Sequence, residues 1–243
     1  MEGIMAHLTT GHIKQLIEID NVGHGIRAEI QALIAQLTLG GVGTKVNDIR
    51  VEQAKNLWDK GFGREQGYKS FEDYLLSIPY IPKDLVVDDD NFPNLVLVDA
   101  RLGIEQTCKL LRVDPYSVSD EDSISYREEN QDERVYWMRA QSGWRNRRTN
   151  YAGAKCFRDF ERSQSEDGLT ANEALALYAL GIVCKRYPVY ASGTCVRNHS
   201  GRWVCLEFNE HGRPYLTLRH REKLELQHEL GAASRKVQPA EDE

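Results

Sequence analysis

Arginines and aromatic residues alternate closely over 134–162. Arg134, Arg139, Arg145, Arg147, Arg148, Lys155, Arg158 and Arg162 interleave with Tyr136, Trp137, Trp144, Tyr151 and Phe157. Guanidinium groups make forked, charge-assisted contacts to phosphate oxygens, and aromatic faces stack on unpaired bases. The combination suits RNA, single-stranded DNA or another phosphate-bearing partner. The residues expected to carry it are Arg139, Trp144, Arg145, Arg147, Arg148, Lys155 and Arg158, densest at Trp144-Arg145-Asn146-Arg147-Arg148. Only Asp159 and Glu161 oppose these cations within the segment. The stretch just before it, 114–133, holds eight acids against the single cation Arg127. The two stretches can neutralise each other across a surface, which leaves plain surface as the competing reading. A further alternative sets the acidic stretches 84–90 and 114–133 against a basic protein partner.

Other constellations are weaker. Asp99 follows an apolar run directly, a common position for a site carboxylate in α/β units, but helix capping explains the same residue. Asp99 or Glu207 would be the general base if the protein were an enzyme. Cys195, His199, Cys205 and His211 have the right types for zinc, but the spacing lacks a paired ligand pattern. Cys156 and Cys195 lie in no nucleophile motif, and free cysteines behave as small buried hydrophobes. The glycine-rich stretch 39–45 resembles a phosphate loop only superficially. Thr44 precedes Lys45, and a helix rather than a strand is expected before the glycines, so a loop that ends a helix is the better reading. These residues imply no catalytic residue, metal or cofactor. The function expected is that of an intracellular, non-enzymatic binding protein.

The elements that must position these groups are legible in part. The chain has 243 residues, 41% hydrophobic and 28% charged, with a net charge of −6. That supports a core and rules out a uniformly basic nucleic-acid binder. No apolar stretch approaches the ~18–20 residues that span a bilayer, and no secretory signal is visible. Five cysteines without such a signal fit free thiols and a cytoplasmic setting.

Four helices are expected in the first 80 residues: 9–19, 24–39, 48–59, and one starting at Ser70 with Asp73 in a capping box. The third should bury Val51, Ala54, Leu57 and Trp58 and end at Gly61. A proline-bearing connector, 78–93, marks the expected boundary before a core domain at 94–230. Leu95-Val96-Leu97-Val98 reads as a buried strand, and 102–111 as a helix burying Ile104, Cys108 and Leu111. Thr170 and Glu173 form a capping box that opens a central, buried helix expected to run to Arg186.

Three strands follow, at 194–198, 202–208 and 214–219, joined by Ser200-Gly201 and by the turn 209–212. Val196, Val204, Leu206, Phe208, Leu216 and Leu218 should face the 170–186 helix. The other face carries Cys195, Arg197, Trp203, Cys205, Glu207, Tyr215 and Thr217. Arg197, Trp203, Glu207 and Tyr215 make it a second candidate site. A closing helix is expected from about His220 to Leu230, and 234–243 reads as a polar, disordered tail. The fold expected is α+β, with an N-terminal helical region and a C-terminal antiparallel meander.

Several motifs together resemble a family of bacterial proteins of uncharacterised function. They are Tyr136-Trp137-Met138 leading to Gln141, Gly168-Leu169-Thr170 leading to Glu173-Ala174-Leu175-Ala176, and Gly231-Ala232-Ala233-Ser234-Arg235. The resemblance covers about 95–235 and implies one co-folded unit. It implies no activity.

Overall fold

The apolar run Leu95–Val98 forms the middle of strand β1, Asn94–Asp99. This computed structural model describes residues 42–116, 118–119, 123–125, 135–141, 166–183, 188–196, 202–220 and 234–236. Val96, Leu97 and Val98 are all fully buried, so the run shows no alternation of apolar and polar residues. β1 pairs antiparallel with β3, Val135–Ala140, from Asn94 opposite Ala140 to Asp99 opposite Val135. Two short strands complete this sheet, β4 (Glu166–Gly168) and β8 (Ser234–Lys236), in the order β1-β3-β8-β4. A second antiparallel sheet has the order β2-β5-β6-β7. Its strands are β2 (Ser123–Ser125), β5 (Val189–Val196), β6 (Arg202–Phe208) and β7 (Pro214–His220). The expected meander is β5-β6-β7, and the protein is α+β.

Two strands stand where the sequence suggested something else. β3 lies inside the basic, aromatic segment. Its Trp137, Met138, Arg139 and Ala140 are all buried. The Arg139 charge is tolerated there because its guanidinium donates to the carbonyls of Leu85 (2.8 Å) and Phe92 (3.3 Å). β8 lies in the stretch expected to be a tail. It pairs Ser234 with Gly168, Arg235 with Asp167 and Lys236 with Glu166. Backbone hydrogen bonds hold this strand, and three residues are too few to show a period.

The helices follow their local signals. α1 (Val42–Asp59) starts earlier than expected and takes in Gly43, Thr44 and Lys45, where the sequence predicts a loop. Beyond its C-terminus Gly61 turns left-handed, φ 98°, and its N–H donates to the Trp58 carbonyl at 2.9 Å. Ala54, Leu57 and Trp58 are buried, whereas Val51 is exposed. A short α2 (Phe62–Glu65) leads to α3 (Phe71–Leu76). The Ser70 hydroxyl caps α3 by accepting from the Asp73 N–H. The connector 78–93 contains one turn of helix, α4 (Lys83–Val86), and buries Ile78, Ile81, Leu85 and Phe92. α5 (Gly103–Leu111) buries Ile104, Cys108 and Leu111.

α6 (Ala171–Ala179) is nearly all buried and packs against β1, α5, β5 and β6. Tyr178 meets Phe208 of β6 with ring centroids 5.8 Å apart. The capping box forms: Glu173 N–H donates to Thr170 Oγ1, and Thr170 N–H donates to Glu173 Oε2 at 2.7 Å. The helix ends well before Arg186 because Gly181 takes φ 73°. The Ile182 N–H closes that end on the Leu177 carbonyl at 3.0 Å.

An irregularity in β5 joins the sheets. Ala191 opposes Val204 but Cys195 opposes Trp203, so 192–194 loop out of register. Thr194 Oγ1 accepts from the Ala171 N–H at 3.0 Å, and the Gly193 N–H donates to Leu169 O at 2.8 Å. A Cβ on Gly193 would lie 2.7 Å from the Gly168 carbonyl oxygen, so only glycine fits.

The chain divides into two compact units, 1–51 and 52–243. The expected helices at 9–19 and 24–39 lie outside the described residues. So does the closing helix beyond His220, which itself ends β7. Among the described residues no helix is long and apolar enough to cross a membrane.

Candidate functional site

Asp99 ends β1 with its side chain buried. Five donors fill it. Arg101 Nε and backbone N reach Oδ1 at 2.8 and 3.3 Å. Arg101 Nη2, Tyr74 Oη and Gln66 Nε2 reach Oδ2 at 2.7, 2.8 and 2.9 Å. Arg101 Nη1 donates in turn to Tyr68 Oη and Ser77 Oγ, both at 2.9 Å. Burial, with the Asp99 charge beside it, pushes the Tyr74 phenol well above its ordinary range. A carboxylate so fully occupied has no lone pair free for a substrate proton. Its work is to tie α2 and α3 to the end of β1. Capping does not explain it, since Leu102 occupies the cap position of α5.

The outer face of the meander is closed where the sequence suggested an open site. Trp203 is 3% exposed and Cys205 fully buried, with Tyr190 edge-on to Trp203 at 6.3 Å. β6 places Glu207 opposite Tyr215 of β7, and Arg219, which opposes Trp203, lies on the same face. Glu207 accepts from Arg219 Nε and Nη2 at 2.5 and 2.6 Å and from Tyr215 Oη at 2.7 Å. Burial and the hydrogen bond to Glu207 push Tyr215 up to about 12. The hydrogen bonds to Glu207 raise Arg219 further, and burial pushes the Cys205 thiol well up. Cys205 is thus a protonated core thiol, and donors engage both oxygens of Glu207. His211 lies on the exposed β6–β7 turn, away from the buried interior that holds Cys205.

Beside this network lies a groove of about 560 Å³, lined by Arg112, Val113, Asp114, Tyr116, Asn209, Arg213, Pro214 and Tyr215. Two segments distant in sequence build it. Asp114 attaches to the outer edge of β7: its N–H donates to Pro214 O at 3.1 Å, and its carbonyl accepts from Leu216 N at 2.7 Å. On the other side, Asn209 Oδ1 accepts from His211 N and Arg213 N at 3.0 and 2.9 Å and so shapes the turn that carries Arg213. Arg112 and Arg213 are exposed, and neither meets a carboxylate at ion-pair distance among the described residues. Tyr116 is 75% exposed.

Arg112 (φ 55°) and Tyr116 (φ 47°) are the two non-glycine residues with positive φ among those described, and both line this groove. Arg112 occupies the left-handed position after α5, where glycine is favoured. Tyr116 follows Pro115 in a turn held by Asp114 Oδ1, which accepts from its N–H at 2.9 Å. Strained residues of this kind gather at functional sites. A sequence signal existed: the helix ends at Leu111 without a glycine and runs into Asp-Pro-Tyr. Its partner residues on the β6–β7 turn could not be paired with it by spacing alone.

Of the residues expected to bind phosphate, Arg139 is buried and committed to the connector. Trp144, Arg145, Arg147, Arg148, Lys155 and Arg158 lie outside the described residues, as does Arg197 of the second set. Trp203, Glu207 and Tyr215 come together on one sheet face, and Tyr215 also lines the groove. No family model, curated protein or solved structure matches this chain.

Proposed function

We propose that this protein is a non-enzymatic binding protein for a phosphate-bearing partner, with nucleic acid the partner its chemistry favours. The observation that carries the reading is the groove, where two exposed guanidinium groups, with no carboxylate at ion-pair distance among the described residues, share a rim with an exposed tyrosine. Forked donors of this kind match phosphate oxygens. The two carboxylates suited to a general base, Asp99 and Glu207, are occupied by donors, which favours binding over catalysis. The sequence of the basic, aromatic segment 134–162 offers the same kinds of side chain. The buried free thiols Cys108 and Cys205 fit a cytoplasmic setting.

The test is a titration against RNA and DNA at two salt concentrations. Each phosphate contact to a single strand contributes about −0.7 to the slope of log K against log salt. An Arg112→Ala/Arg213→Ala variant should bind more weakly and with a shallower slope. Binding that is absent at low salt, or unchanged in the variant, contradicts the proposal.

A further inference from the structure

Tyr116 is costly as a purely structural residue. A large aromatic side chain stands in water, on backbone that glycine or asparagine would adopt with less strain. No ring or cation partner for it is found among the described residues. It is also held firmly. Its N–H is fixed by Asp114 Oδ1, and the Val118 N–H closes the turn on the Pro115 carbonyl at 2.8 Å. A preset aromatic platform loses little entropy on binding.

We propose that the groove takes an unpaired nucleotide of a single-stranded nucleic acid, with Tyr116 stacking on the base and Arg112 and Arg213 on the flanking phosphates. This rests on the phosphate-binding reading of the same groove and adds the ligand class. Four features point to it. A flat ring offered to solvent matches a base face, which a duplex keeps inside its stack. The groove is open, so it suits a segment of a polymer passing through rather than an engulfed small molecule. Its volume lies within the range of small-ligand sites, enough for a nucleotide unit. Asp114 sits among the cations, where its carboxylate disfavours a bare polyanion and can accept from a base amine.

The experiment measures binding of a labelled mixed-sequence single strand, the same sequence as duplex, and inorganic polyphosphate. The proteins are wild type, Tyr116→Ala, Tyr116→Phe and Arg112→Ala/Arg213→Ala. The exposure of all three positions keeps these variants folded. Single strand should bind more tightly than duplex. Tyr116→Ala should weaken single-strand binding roughly tenfold, the size of one lost base stack, and leave polyphosphate binding unchanged. Tyr116→Phe keeps the ring and should keep the affinity. If Tyr116→Ala binds the single strand like wild type while the arginine variant weakens, the stacking inference is overturned and the phosphate reading stands. Equal affinity for duplex and single strand overturns the inference in the same way. If none of the three polymers binds at low salt, both are overturned.

Discussion

Glu207 holds three donated hydrogen bonds from two residues of the neighbouring strand, and one donor, Tyr215, also forms the groove wall. The pairing has a consequence in alkali. Tyr215 is raised from the ordinary phenol value of about 10 to about 12. A folded-state value above the unfolded one means the neutral phenol is favoured by folding. That contribution is complete below pH ~10 and disappears as pH rises through about 12. Tyr215→Phe lacks it at every pH. Denaturant midpoints of wild type and variant, followed from neutral pH upward, should therefore differ at first and converge towards pH ~12. Tyr74, also raised, is present in both proteins and cancels from the comparison. A gap that stays constant through that window contradicts the assignment.

At the scale of elements, β1 is an edge strand that is not left open. Gln53 on α1 lies alongside it, donating from Nε2 to Leu95 O at 2.8 Å and accepting at Oε1 from Leu97 N at 2.7 Å. One side-chain amide thus pairs two of the edge's backbone groups as a neighbouring strand would. Gln53→Leu should leave both backbone groups unpaired. The expected cost is about 2 kcal/mol in denaturant unfolding, with new concentration-dependent scattering. An unchanged midpoint without association would show that the edge is protected some other way. The elements themselves were legible where the signal is local. Ser70, Gly61 and the Thr170–Glu173 box act within one turn of chain, and alternation in β6 is carried by adjacent residues. β3 was hidden because a buried arginine reads as surface until the carbonyls of Leu85 and Phe92 are known to receive it. Gly181 ended α6 early against an apolar run that continued past it.

At the scale of the molecule, Arg139 of the basic segment is internal, while Asp84, Asp88 and Asp90 of the acidic connector stay exposed. Asp89 Oδ1 is spent on the Asn91 and Phe92 N–H groups, and Asp88 reaches Arg139 at 3.5 Å. Asp89 is therefore part of how 78–93 folds. The groove was not legible, because Arg112 and Arg213 become neighbours only when Asp114 pairs with β7. Tyr215, expected on the outer face of the meander, connects that face to the groove.

The most direct test is to follow backbone amide shifts by NMR while a single-stranded oligonucleotide is added at low salt. Saturable shifts centred on Arg112–Tyr116 and on 209–215 are expected, and they should collapse when salt is raised. Shifts that spare both segments, whether they fall elsewhere or nowhere, would contradict the proposed function.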